Sequence, residues 1–182
     1  MKLTLSSLHA CRATDAQLAT LLVDVVQEGG SVGFMAPLAE ETARAFWGQA
    51  LLAAGRGERI VLGAWDGAVL AGTVTLLLAC PPNQPHRAEI GKLMTRPSYC
   101  GRGVAASLMA AAEVCAVRLA KTLLVLDTAT DGGAAALYER RGFTYAGEIP
   151  DYALKPHGGL TGTRLYWKRL KLPACLSRPE PF

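Results

Sequence analysis

Basic runs, paired cysteines and long apolar stretches are all missing from this 182-residue sequence, and aromatic residues make up only 7% of it. Each absence excludes something. Without a run of Lys or Arg, a formal charge of +4 forms no stripe for a phosphate backbone, and no nucleic-acid partner is expected. The five cysteines (Cys11, Cys80, Cys100, Cys115, Cys175) are odd in number, widely spaced and free of any Cys-x-x-Cys pair. That speaks against a disulfide framework or a zinc site, and for reduced thiols in a cytoplasm. His9, His86 and His157 stand alone, so no metal is expected. The longest apolar stretch, residues 69–80, is interrupted by Thr73 and Thr75 and is too short to span a bilayer. It reads as a buried strand, and no membrane partner is expected. The first twelve residues, MKLTLSSLHACR, hold no uninterrupted apolar core of a signal peptide. Glycine and proline are scattered without a period, which excludes collagen-like repeats.

What is present suits a globular chain. Half of it (51%) is hydrophobic, and its length matches one domain with a full core. A single domain over 1–171 and a flexible tail over 172–182, marked by Pro173, Pro179 and Pro181, are expected. Residues 3–8 alternate weakly as a first strand. Thr14 and Asp15 open a helix carried by Leu18, Leu21, Leu22, Val25 and Val26 and stopped at Glu28-Gly29-Gly30. A second helix is predicted over 37–53. Strands at 59–65 and 68–78 flank Asp66-Gly67, a strong hairpin signal. A strand at 88–95, a helix from Val104 to about Ala120, a short apolar strand at 123–126 and a helix at 134–141 follow. Strands at 145–149 and 160–170 end the series. The order β-α-α-β-β-β-α-β-α-β-β implies an α/β (α+β) chain with a mixed sheet covered by helices.

The segment Pro97-Ser98-Tyr99-Cys100-Gly101-Arg102-Gly103-Val104-Ala105 lies between a strand and a helix. Glycines allow main-chain N–H groups to turn toward a ligand, and the helix behind them adds unpaired N–H groups and a positive dipole end. Together they form a cradle for a pyrophosphate, to which Arg102 could add a charge-assisted contact. No Gly-Lys-Ser/Thr follows, so this is no P-loop, and the third glycine of the dinucleotide fingerprint is absent.

Three segments, Ala88-Glu89-Ile90-Gly91-Lys92-Leu93-Met94, Cys100-Gly101-Arg102-Gly103-Val104-Ala105 and Leu137-Tyr138-Glu139-Arg140-Arg141-Gly142-Phe143, resemble the GNAT acetyltransferase superfamily in residues, order and separation. The second resembles its acetyl-CoA loop, Q/R-x-x-G-x-G/A, with Cys100 at the Gln/Arg position. The third resembles its L-Y-x-x-x-G-F motif. Asp131 stands where an Asn often helps hold the pantetheine arm.

The resemblance implies a GNAT fold: about seven strands and about four helices, with strands 4 and 5 splayed apart. It implies acetyl-CoA as co-substrate, gripped by main chain at Cys100, Gly101, Arg102, Gly103, Val104 and Ala105. It also implies that main-chain groups at Leu93 and Met94 pair with the pantetheine, with the Met94 N–H polarising the thioester carbonyl. The implied reaction is direct acetyl transfer to the amine of a small molecule, such as a toxin or antibiotic. Alternatives are a protein N-terminus as acceptor, or a non-catalytic acyl-CoA sensor. A monomer and a homodimer are both open.

Three side chains carry the chemistry in this reading. Tyr138 is the implied proton donor to the departing thiolate. Glu89, in an apolar run, is expected to be partly desolvated and to serve as base; the alternatives are an ion pair with Arg87 or Lys92, or a solvated strand end. Asp127 follows an apolar strand, where ligands gather at carboxyl ends. It is read as a second base, a partner in sharing a water, a counter-charge for the ammonium, or a turn cap. Phe34, Met35 and Trp47 are candidate walls of the acceptor pocket, with the core as the rival place for them.

Overall fold

Alternating apolar side chains sort the central strands between two cores, and the helices cover both faces. The computed structural model describes residues 2–174; of the expected tail, 175–182 lie outside the described residues, as does Cys175. In chain order the elements are β1 (Thr4–Ser7), α1 (Arg12–Gln27), α2 (Glu40–Gly55), β2 (Arg59–Asp66), β3 (Val69–Leu77), β4 (Arg87–Thr95), α3 (Val104–Arg118), β5 (Leu123–Ala129), α4 (Ala135–Arg140), β6 (Thr144–Leu154) and β7 (Leu160–Arg169). A single 3-10 turn, Pro97–Tyr99, precedes α3. One seven-stranded sheet runs β1-β2-β3-β4-β5-β7-β6, and only the β4–β5 pairing is parallel. This is the mixed sheet with four helices that the sequence suggested.

On one face, Val74, Leu76, Ala88, Ile90, Leu124 and Leu126 meet Val104, Leu108 and Ala112 of α3. On the other, Val61, Leu70 and Met94 meet Leu18, Leu22 and Val26 of α1 and Ala43 and Trp47 of α2. Ile90 and Met94 belong to the same strand yet to opposite cores. A β-bulge explains this: β4 spends one residue more than β3 between the pairs Thr75↔Gly91 and Thr73↔Met94. Lys92 sits in the bulge with φ +49°. Beyond it, a Cβ on Gly72 would stand 2.6 Å from the Met94 carbonyl oxygen and 2.8 Å from Val104 Cγ1. Glycine there lets the start of α3 lie directly against β3 and β4.

The splay is also visible. β4 and β5 pair only from Arg87↔Leu123 to Glu89↔Val125, after which β4 has no partner on its β5 side. Some boundaries moved. α2 starts at Glu40 rather than Pro37, because Ala39 is extended (φ −68°, ψ 137°) and Glu40 and Glu41 supply the acidic first turn. β5 runs on to Ala129 because β7 pairs it as far as Ala129↔Thr163. β6 continues to Leu154 as an edge strand on β7, and register shifts along it hide its period. Among the described residues no helix is long and apolar enough to cross a membrane.

Candidate active site

The loop after β4 delivers two glycines in the left-handed region, Gly101 at φ +75° and Gly103 at φ +81°. Space beside both is open, so backbone conformation, not crowding, favours glycine there. Gly103 is the N-cap of α3 and no side chain caps that helix. Its first N–H groups therefore have no partner inside the helix, as an anion cradle requires. They border a cleft of about 780 Å³ that continues along Leu93, Met94 and Thr95 of the splayed β4 to Tyr138. An uncapped helix start, a glycine turn and an unpaired strand edge are what a diphosphate and an amide-bearing arm could use. Cys100, Gly101, Gly103, Val104 and Ala105 all line this cleft.

Arg102 does not line it. Its guanidinium lies over the Tyr99 ring, 5.4 Å from the centroid, so the expected side-chain contact to a diphosphate is replaced by a cation–π contact at the surface. Asp131 lines the cleft and is paired with Lys155 at 2.5 Å, which, with the Thr161 hydroxyl, holds its carboxyl below the usual carboxylate range.

Tyr138, on α4, borders this cleft and a second one of about 400 Å³. Its ring is only 5% exposed and is set between Phe143 and Tyr166, at centroid distances of 6.1 and 5.8 Å. Burial pushes the phenol up to about 12; interaction with Thr128 opposes this, and the Asp127 charge adds to it. At neutral pH the hydroxyl therefore carries its proton.

The second cleft lies on the α1–α2 face of the sheet, over the part that those helices leave open, with Phe46 of α2 at its edge. Strands β2 to β5 each contribute polar side chains: Arg59, Thr75, Glu89 and Lys92, and Asp127. Phe46 and Tyr152 border it too. The Glu89 side chain is 40% exposed and 3.6 Å from Arg87 Nη1. The desolvation expected from its apolar neighbours is absent, because those neighbours point to the opposite face. Asp127 is exposed within β5 rather than capping a turn, and the Thr163 hydroxyl donates to its Oδ2 at 2.9 Å.

The expected acceptor walls are corrected. Trp47 is fully buried between α1 and α2, so it belongs to the core. Phe34 sits edge-on against Phe46 at 5.2 Å, and it is Phe46 that borders the cleft. Met35 is exposed and borders neither cleft. Met94 has its side chain in the α1–α2 core and Leu93 packs against the other core, so both meet the cleft chiefly through the strand.

Sequence reasoning missed Lys92, Arg59 and Thr75. Burial pushes the Lys92 ammonium below the ordinary lysine value, while Asp127 and Glu89 pull it back up and Arg59 lowers it further. The available signal was the polar side chains within these strands: Arg59 at the start of β2, Thr73 and Thr75 inside β3, and Lys92 three residues after Glu89 in β4. Among the described residues no three His, Cys, Asp or Glu side chains gather as a metal cage.

Comparison with known proteins agrees with this geometry. The family model for the acetyltransferase (GNAT) family matches residues 24–143. An N-acetyltransferase from Staphylococcus aureus Mu50 superposes with a TM-score of 0.77 at 17% identity, covering 94% of this chain and 100% of that one. A ribosomal-protein-alanine N-acetyltransferase from Brucella melitensis gives 0.74 at 20% identity, covering 91% and 99%. A phosphinothricin acetyltransferase from Sinorhizobium meliloti, solved with acetyl-CoA, gives 0.79 at 17% identity, covering 99% and 94%. At these identities the structures attest to the fold, and the family model, spanning well over half of the chain, attests to the lineage. The chain belongs to the GNAT family of acetyl-CoA-dependent N-acetyltransferases.

Proposed function

We propose that this enzyme acetylates the amine of a small molecule, with Glu89 as base, Asp127 as anchor for the ammonium and Tyr138 as acid. The observation that carries the reading is that Tyr138 borders both clefts at once. Acetyl-CoA supplies an activated acetyl thioester. Main-chain N–H groups from Gly101 to Ala105 hold its diphosphate, and those around Leu93 and Met94 align its arm.

Glu89 accepts no hydrogen bond among the described residues, so its lone pairs are available to take a proton from the acceptor ammonium, directly or through one water. The freed amine forms the new C–N bond as the C–S bond breaks, and the excess proton on the new amide nitrogen passes to solvent. Tyr138 delivers its hydroxyl proton to the departing sulfur and is reprotonated from solvent. Asp127, with one oxygen engaged by Thr163, holds the ammonium before it is deprotonated.

A cleft of about 400 Å³ matches a small-molecule site better than a protein terminus, which would need an open trough. The chain also resembles the tabtoxin resistance protein, through Gly30-Ser31-Val32-Gly33-Phe34-Met35, Arg87-Ala88-Glu89 with Lys92-Leu93-Met94, Leu126-Asp127-Thr128 and Gly147-Glu148. That resemblance supports a toxin or antibiotic amine, similar to tabtoxinine-β-lactam, with self-protection as the role and the cytoplasm as the place. Free-thiol release from acetyl-CoA across a panel of small amines tests the reading. Turnover is expected; calorimetric binding of acetyl-CoA with no thiol release for any amine would leave a sensor instead.

A further inference from the structure

Two buried polar atoms at the acceptor cleft have no hydrogen-bond partner among the described residues: Arg59 Nε and Thr75 Oγ1. Buried donors are nearly always paired, so an unpaired couple beside one cleft marks a place where a ligand group belongs. Thr75 is 2% exposed, which makes it a built feature rather than a surface accident. Register puts the groups side by side. Arg59 pairs with Leu77 and Val61 with Thr75 across β2–β3, while Leu77 and Thr75 pair with Glu89 and Gly91 across β3–β4. All of these share one face of the sheet, and Lys92 enters from the bulge.

Charge points the same way. Among the described residues neither Arg59 nor Lys92 has a carboxylate within ion-pair distance, whereas Arg96 pairs with Asp24, and Arg141 and Lys168 pair with Glu113. Lys92 is held instead against the Phe46 ring, 5.6 Å from its centroid, and a Cβ on Gly33 would lie 3.5 Å from its Nζ. The cleft thus offers two carboxylates on β4 and β5 and two unpaired cations on β2 and β4.

We infer that the acceptor is a small zwitterion: its ammonium faces Glu89 and Asp127, and its carboxylate, or an equivalent oxyanion, is received by Arg59, Thr75 and Lys92. This rests on the proposed acetyltransferase reading and names the class of its acceptor. A planar guanidinium suits a two-oxygen anion, and the threonine hydroxyl adds a third donor. The depressed basicity of Lys92 fits an ammonium awaiting a counter-ion.

Matched pairs of acceptors test this: β-alanine against ethylamine, γ-aminobutyrate against propylamine, and α-amino acids against their decarboxylated amines. The carboxylate member is expected to show at least tenfold higher kcat/KM. In parallel, calorimetry of the CoA-loaded protein with butyrate, which keeps the carboxylate and has no amine to acetylate, is expected to show saturable binding. Arg59→Gln should weaken butyrate at least tenfold, Arg59→Lys should recover part of the loss, and acetyl-CoA affinity should stay within twofold. Thr75→Val, close in volume, should weaken butyrate several-fold while raising the thermal midpoint, because it removes an unpaired buried hydroxyl; it keeps the test alive if Arg59→Gln does not fold.

Arg59-dependent butyrate binding supports the inference even if no acceptor in the panel turns over. Equal kcat/KM within the pairs, or butyrate heats absent or unchanged in both variants, would overturn it while leaving amine acetylation intact. Failure of the wild-type protein to bind acetyl-CoA would instead strike the acetyltransferase reading.

Discussion

The first cleft is bordered mainly by main chain: Gly101 and Gly103 at positive φ, the uncapped start of α3, and the length of β4 that has lost its neighbour, which we propose recognise the co-substrate. The second is bordered by polar side chains, with Arg59, Thr75, Glu89, Lys92 and Asp127 drawn from four strands, which we propose recognise the acceptor. The two meet at Tyr138. Such a division would let the acceptor site vary while the co-substrate site stays the same. Main-chain recognition depends on conformation and tolerates exchange of side chains, so Cys100 can stand at a Gln/Arg position. Side-chain recognition depends on five separate positions, each replaceable without disturbing the glycine turn.

Variants that should respect this boundary can break or sharpen the comparison. The largest effect is expected from Glu89→Gln, which should lower kcat/KM by about 10²–10⁴-fold, the usual size of a lost general base, with acetyl-CoA affinity unchanged. Steady-state rates against calorimetric Kd check this, and an equal loss in Asp127→Asn with no loss in Glu89→Gln would reverse the two roles. Next, Tyr138→Phe should cut kcat by roughly 10–1,000-fold while acetyl-CoA still binds, since only the proton donor is lost; an unchanged rate would remove Tyr138 from the chemistry.

Gly103→Val acts on the other side of the boundary. A β-branched residue at φ +81° is strained, so acetyl-CoA affinity should fall about 10-fold, on a cost of roughly 1–2 kcal/mol, with the acceptor KM nearly unmoved. Cys100→Ser should change acetyl-CoA affinity less than about twofold, a difference of some 0.4 kcal/mol, if only the main chain matters there.

The smallest signal is a titration. The folded protein holds the Tyr138 proton up to about 12, whereas an unfolded tyrosine releases it near 10. Its contribution to stability is complete below pH 10 and is lost as pH climbs from 10 to 12. Ultraviolet absorbance of phenolate should show one very late phase among the five tyrosines, absent in Tyr138→Phe.

Legibility followed the same division. The glycine turn, the Tyr138 motif and the order of strands and helices were readable, because each depends on residues adjacent in sequence or at a fixed period. Arg102 was misplaced because a guanidinium can turn to either side of a loop, and Tyr99 offered it a ring. Glu89 was expected to be desolvated because its neighbours are apolar, yet a strand sends successive side chains to opposite faces. Trp47 and Phe46 are adjacent on one helix, and the sequence ranked the wrong one at the cleft; a shift of one position moves a side chain by about 100° around the axis.

Local motifs were enough to carry the resemblance to the family, and period and turn residues the mixed sheet and the glycine turn, because those features are written in contiguous residues whose backbone preferences are strong. The tertiary structure alone decided which polar side chains share a cleft. Arg59, Thr75, Lys92 and Asp127 meet because strand register and one bulge in β4 align them on the α1–α2 face of the sheet, beyond the part that those helices cover. Register is a relation between distant segments, set when the sheet assembles, and no single stretch of the chain carries it.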